Sequence, residues 1–295
     1  MTQTEPAQSA NANANARAFA FIQTLAQELS AGKVDLPSFP EVAARVRQVL
    51  SDEFVSSQQI VKVVSTEPSL VGKLLMISNS AAMNPGGPRI TDLKSAITRI
   101  GFNMVRSASL AFAMEQIKKS ESLAGLRQPL NELWERSVLV AALCYVVAKR
   151  CTTVNADTAL LAGLMHGMGR LYILTRAAKH PDLFNDTPTY NQIVRDWHSN
   201  IAKAILENWE ISEEIVAAVE EYENLERSHV GYTDLTDVLS VASLMAAFHE
   251  FPESLELNMQ GVKAIARMQV DSEGAQKILA ESAKEVASLR TALGA

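Results

Sequence analysis

Apolar residues along this chain recur at three- and four-residue spacing, and from Ala18 onward they nowhere alternate with period two. That spacing puts one apolar stripe on a helix, and its persistence predicts an all-α protein of packed helices. In residues 68–82, Leu70, Leu74, Ile77 and Ala81 fall on one face. Start signals are frequent. Ser38 with Glu41 forms a capping-box pattern with Pro40 in the first turn, and Ser56 with Gln59 repeats it. Pro68 opens another helix, and Asn155 caps one more. The "NPGGP" loop at 84–88 cannot continue a helix. A helix capped by Thr91 then runs to Gly101, which suits a left-handed terminus.

A helix over 103–119 comes next, and then a weakly patterned stretch to Gln128. The lobe boundary is set there. Residues 18–127 form an N-terminal helical lobe and residues 128–295 a second one. The second begins with "PLNELWERSVLVAALCYVVAKR" and continues with "NADTALLAGLMHGMGRLYILTRA". Further helices are expected at 189–209, 212–224, 234–250 and 272–291. Residues 1–17, a polar Asn/Ala/Gln tract with almost nothing to bury, read as a disordered tail.

Composition narrows the picture. With 295 residues, 47% hydrophobic and 20% charged, the chain can bury one large core or two smaller ones. Its longest apolar run, "VLVAALCYVVA" at 138–148, is well short of the ~20 residues that cross a bilayer. No charged leader precedes an apolar segment with a cleavage site. Cys144 and Cys151, seven apart, cannot form a disulfide framework, so a reduced, cytoplasmic setting is expected. A formal charge of −6, with scattered basic residues, argues against nucleic acid as a partner.

Candidate chemistry is sparse. No G-x-S-x-G elbow appears, and the "GMG" at 167–169 follows no strand, which removes a dinucleotide reading. The acidic residues Glu213, Glu214, Glu220, Glu221 and Glu223 spread around a helix as a solvated face would. Five histidines are present. His180 precedes Pro181 at a helix end and reads as a C-terminal cap, His229 lies in a loop, and His249 faces solvent near a helix end. His166 and His198 sit instead within apolar helical patterns. A histidine there is most often a core residue with a satisfied hydrogen bond. Gly163 and Gly167, one turn apart, would let a neighbouring helix approach closely.

Several motifs occur in one order: "LPSFPEVAARVRQVLSD", "VVSTEPSLVGKLLMISNSA", "ITDLKSAITRIGFNMVRSASLAFAM", "LWERSVLVAALCYVVAKR" and "ALLAGLMHGMGRLYIL". Over roughly residues 30–245 the chain resembles the HDOD domain family, all-helical relatives of the HD metal-dependent phosphohydrolases associated with bacterial signal transduction. That resemblance implies an HD-like fold in which metal ligands are lost position by position. Here Arg136 falls where the first metal histidine would stand. His166 matches the histidine of the His-Asp pair, but Gly167 takes the aspartate's place. His198 matches a further family histidine. The segment from Glu220 to Tyr222 replaces a His-His pair, and the last acidic ligand falls near Ala242 or Ser243. The expectation is a regulatory protein with no metal, no cofactor and no catalytic residue. It would bind a signalling protein partner or a small anion, the latter through Arg136, His166 and His198. Two other readings are a divergent phosphohydrolase acting on a nucleotide or cyclic dinucleotide, and a DNA-binding regulator using residues 93–112 as a helix-turn-helix.

Overall fold

The computed structural model describes residues 5–31, 39–52, 54–177, 179–180 and 187–295, with side chains from Ala18 onward. The described residues contain helices and no strand. The first half holds α1 (Glu5–Ser30), α2 (Glu41–Leu50), α3 (Ser57–Val64), α4 (Pro68–Ser78) and α5 (Leu93–Lys119). A 3-10 segment, Glu121–Leu126, occupies the weakly patterned stretch. The second half holds α6 (Arg127–Cys151), α7 (Ala156–Met165), α8 (Met168–Ala177), α9 (Thr187–Asn208) and α10 (Glu213–Glu221). It continues with α11 (Leu235–Ala247), α12 (Leu255–Met259), α13 (Lys263–Met268) and α14 (Ser272–Leu293). Among the described residues no helix is long and apolar enough to cross a membrane.

The caps show why these helices begin where they do. Ser56 and Gln59 make the expected capping box: Gln59 Oε1 accepts from the Ser56 N–H at 2.8 Å and Ser56 Oγ from the Gln59 N–H at 3.3 Å. Asn155 caps α7 through the Thr158 N–H. Two signals fall elsewhere. The cap of α5 is Asp92, not Thr91, because its carboxylate reaches the Ser95 N–H at 2.8 Å and meets the positive helix end as an anion. Ser38 lies outside the described residues, and α2 starts after Pro40 with no side-chain cap.

Helix α6 is the axis of the molecule. Every residue from Ser137 to Ala148 is buried, with α7, α11 and α14 packed around it. Gly163 of α7 makes the tightest of these approaches possible: a Cβ there would fall inside contact distance of the Ala141 Cα. Cys144 and Cys151 are both free thiols on α6. At Gly101 the long α5 breaks, with φ 73° and ψ 172°, a conformation that only glycine adopts without strain. The helix beyond it buries Met104, Val105, Ala108, Leu110, Ala111 and Phe112. A helix buried that way cannot lie in a DNA groove, so the helix-turn-helix reading of residues 93–112 is set aside.

The two terminal helices cross the division drawn at residues 127 and 128. Helix α1, expected in the first half from Ala18 on, packs against α9 of the second, burying Phe21 and Leu25. Glu28 holds it there, accepting from Tyr172 Oη at 2.6 Å and Arg176 Nε at 2.7 Å. The same helix extends back to Glu5, through residues read as a structureless tail. Alanine and glutamine in that tract favour helix even without a buried face. Helix α14 lies against α6 and also reaches α4 and α5, so one hydrophobic core runs through both halves.

Candidate functional site

The turn between α7 and α8 carries His166 and Gly167, and it is pressed against α6 and α9. His166 is the C-cap residue of α7, 2% exposed, and its Nδ1–H donates to the Gly163 carbonyl at 2.5 Å. Burial pushes its pKa down to about 4, with the Arg136, Arg170 and His198 charges adding to the effect and the Gly163 bond opposing it. The imidazole is therefore neutral at pH 7. Gly167 is filled from the other side. A Cβ there would lie 2.5 Å from Ser137 Oγ, a hydroxyl that donates to the Leu133 carbonyl. A serine of α6 thus occupies the space that a larger side chain at position 167 would need.

His198 of α9 is 1% exposed and sits beside α8 because Gly169 has no side chain. A Cβ at 169 would overlap the His198 carbonyl oxygen and stand 2.9 Å from Ala202 N. His198 Nε2 is 3.0 Å from Glu223 Oε2 and 3.0 Å from Arg170 Nη2. Glu223 Oε1 accepts from Arg170 Nη2 at 2.8 Å and from Tyr222 Oη at 2.9 Å. With Nε2–H donating to Oε2, every member of this group has a partner. Burial alone would raise the Glu223 pKa. The bond and charge of His198, with Tyr222 and Arg170, outweigh it and hold the carboxyl down to about 2.

Tyr222 stands between the two histidines. Its ring centroid is 5.5 Å from that of His166, edge-on, and 6.4 Å from that of His198. Tyr222 therefore fills the gap between the two histidines with an aromatic ring. Arg136 lies on the exposed side of α6, near enough for its charge to act on His166 but, among the described residues, in no hydrogen bond or ion pair. Of the three residues expected together, His166 and His198 share Tyr222, while Arg136 stands at the rim.

A metal-dependent phosphohydrolase centre needs carboxylates to offset the ion's charge and to leave an open coordination position. Position 167 offers none, and Ala242 is buried in α11 without one. Glu223 is the carboxylate at this turn, and it is already bound by an arginine, a tyrosine and a histidine. Two arginines beside His166 would repel a cation. These residues do not fit such a centre.

Among the described residues, one group of three side chains converges as metal ligands could: His229, Asp234 and Asp237. Two guanidinium groups occupy it. Arg267 Nε is 2.8 Å and His229 Nε2 3.0 Å from Asp237 Oδ2, and Arg227 Nη2 is 2.7 Å from Asp234 Oδ2. His229 is thus held against both carboxylates of this group. His180 packs edge-on against Phe21, and His249 Nδ1 reaches the Ala246 carbonyl.

Arg170 and Glu223 did not emerge from the sequence. Arg170 stands four residues after His166, one turn on, which is the signal available for it. The acidic run is not a plain solvated face: Glu220 pairs with Lys203, Glu221 with Arg227, and Glu223 with Arg170.

The HDOD domain model matches residues 36–225 of the chain. This protein belongs to the HDOD domain family. A structure from Shewanella amazonensis SB2B, provisionally named a metal-dependent phosphohydrolase, has a TM-score of 0.74 with this HDOD chain at 24% identity. The likeness covers 94% of this chain and 99% of that one. A protein of Marinobacter aquaeolei VT8, provisionally named a signal transduction protein, has a TM-score of 0.57 at 18% identity, over 88% of this chain and 59% of that one. An uncharacterised protein of Treponema pallidum (strain Nichols) is 22% identical over 248 residues, 77% of this chain. The chain spans 46% of that relative's length. At these identities the structural likenesses are likenesses of fold.

Proposed function

We propose that this HDOD protein is a non-catalytic regulatory module in signal transduction, acting by binding a protein partner and not by hydrolysing phosphate esters. The observation that carries the reading is the closed group of Arg170, His198, Tyr222 and Glu223 in the cleft beside His166. A phosphoryl group entering there would meet a carboxylate already in possession of the arginine. His166, neutral and buried, adds no charge to attract it, and Arg136 lies exposed at the rim. A small anion is therefore a poor fit to this cleft. A partner surface could engage Arg136 and the half-exposed Arg170–Glu223 pair without opening it.

The test is elemental analysis of untagged protein purified without chelator, with hydrolysis assays on a generic phosphodiester and on cyclic dinucleotides. The expected result is no stoichiometric metal and no turnover. About one metal per chain, with activity abolished in His166→Ala, would establish the phosphohydrolase reading instead.

A further inference from the structure

A wide, open cavity lies far along the chain from His166. It has a volume of about 1120 Å³ and opens between α4, the loop over residues 84–91 and the last turns of α14. Among the described residues no Asp or Glu lines it. Leu75, Met76 and Ile90 supply an apolar wall, and Arg89, Ser288 and Thr291 supply hydrogen-bond donors. Arg89 is exposed and, among the described residues, in no ion pair. Ser80 is 7% exposed and its hydroxyl has no hydrogen-bond partner, an unusual state for a buried polar group. Ser288 Oγ accepts from the Ala81 N–H at 3.0 Å, which leaves its own hydrogen to donate.

The walls are held in place by bonds among the lining residues and by ion pairs on the far side of α14. The Asn79 amide bonds both backbone groups of Ile90, donating to the carbonyl at 2.7 Å and accepting from the N–H at 2.8 Å. Asn84 Nδ2 donates to the Pro88 carbonyl at 2.9 Å, fixing the loop that carries Arg89. On the far side, Lys149 and Arg150 of α6 grip Glu285 of α14 at 2.8 and 3.3 Å. A site whose shape is already set loses little in ordering when a ligand enters.

We propose that this cavity binds a phosphorylated small molecule of nucleotide size. One unpaired guanidinium, with hydroxyl donors and no carboxylate, matches a phosphate. The aliphatic wall matches the less polar body of the ligand, and the volume is that of a small-molecule site. Such a ligand would touch both α4 of the first half and α14, which packs mainly on the second. It would therefore bridge the two halves of the fold. The proposal is independent of the His166 cleft.

The experiment is calorimetric titration of the full chain with the four ribonucleoside 5′-monophosphates, with inorganic phosphate and the parent nucleosides as controls. At least one monophosphate is expected to bind with Kd below about 1 mM and more tightly than either of its parts. Arg89→Ala should weaken it about 10- to 100-fold. Ala287→Trp, an exposed lining position, should block it without lowering the melting temperature. Arg136→Ala should leave it unchanged. No binding of any monophosphate at about 10 mM overturns the proposal. So does equal binding in the Arg89 and Ala287 variants, or loss of binding in the Arg136 variant.

Discussion

Gly167→Asp restores the residue that the HD pattern asks for at this turn, and the structure sets a cost on it. The new Cβ would arrive 2.5 Å from Ser137 Oγ, so that hydroxyl must rotate and give up its bond to the Leu133 carbonyl at 2.9 Å. Losing one such bond costs about 1 kcal/mol. The carboxylate itself would enter beside Leu133 and the buried His166. Burying a charge costs several kcal/mol, and Arg136 and Arg170, whose charges already act on His166, return part of it. Replacing glycine recovers about 0.5–1 kcal/mol by restricting the unfolded chain. The net expectation is a loss of about 2–3 kcal/mol, or a Tm lower by about 3–5 °C in a chain of this length. Ser137→Gly in the same chain should return the steric share, about 1 kcal/mol. Urea denaturation of the single and double variants measures both, and elemental analysis with phosphodiester assays should find neither metal nor activity in either. A single variant as stable as the parent would refute the packing argument. Stoichiometric metal with turnover would refute the argument that too few ligands remain.

Two further outcomes follow from the same turn. Gly169→Ala should destabilise the protein by at least about 3 kcal/mol, because backbone atoms of α9, unlike a hydroxyl, cannot rotate away from the new Cβ. Denaturation curves will show it, and a change under about 1 kcal/mol would contradict the α8–α9 contact. The buried His166 should make stability pH-dependent. Its folded pKa of about 4 lies below the ordinary 6.5, so the unfolded chain binds the proton first as pH falls. Stability should drop by about 3 kcal/mol between pH 6.5 and 4, and His166→Gln should remove that portion of the slope. The half-exposed Glu223 adds a smaller loss at lower pH, from about 4.5 toward 2.

What the sequence made legible was local. Ser56 with Gln59, Pro68 and Asn155 mark helix starts because a cap acts within four residues. The buried span of α6 is written in its unbroken apolar run. Gly163 was readable as a place of close approach, though not which residue, Ala141, would come near. Contacts between distant segments left no such mark. Arg170 and Glu223 meet across 53 residues, and Glu223 looked like one more member of a solvated acidic run. Ser137 fills the space beside Gly167 from 30 positions earlier, on another helix. Helix α1 joined the second half through Glu28, Tyr172 and Arg176, a pairing that no local pattern announces.

The burial of α6 has a consequence for the chain during synthesis. From Ser137 to Ala148 the helix is covered all round, but its cover arrives late. Helix α7 follows at once, whereas α11 starts roughly ninety residues later and α14 well beyond that. At a synthesis rate of about 5–20 residues per second, the apolar face waits on the order of 6–30 s for its last partner. During that interval the segment is an apolar surface open to other chains, and it is closed only once α14 has been made.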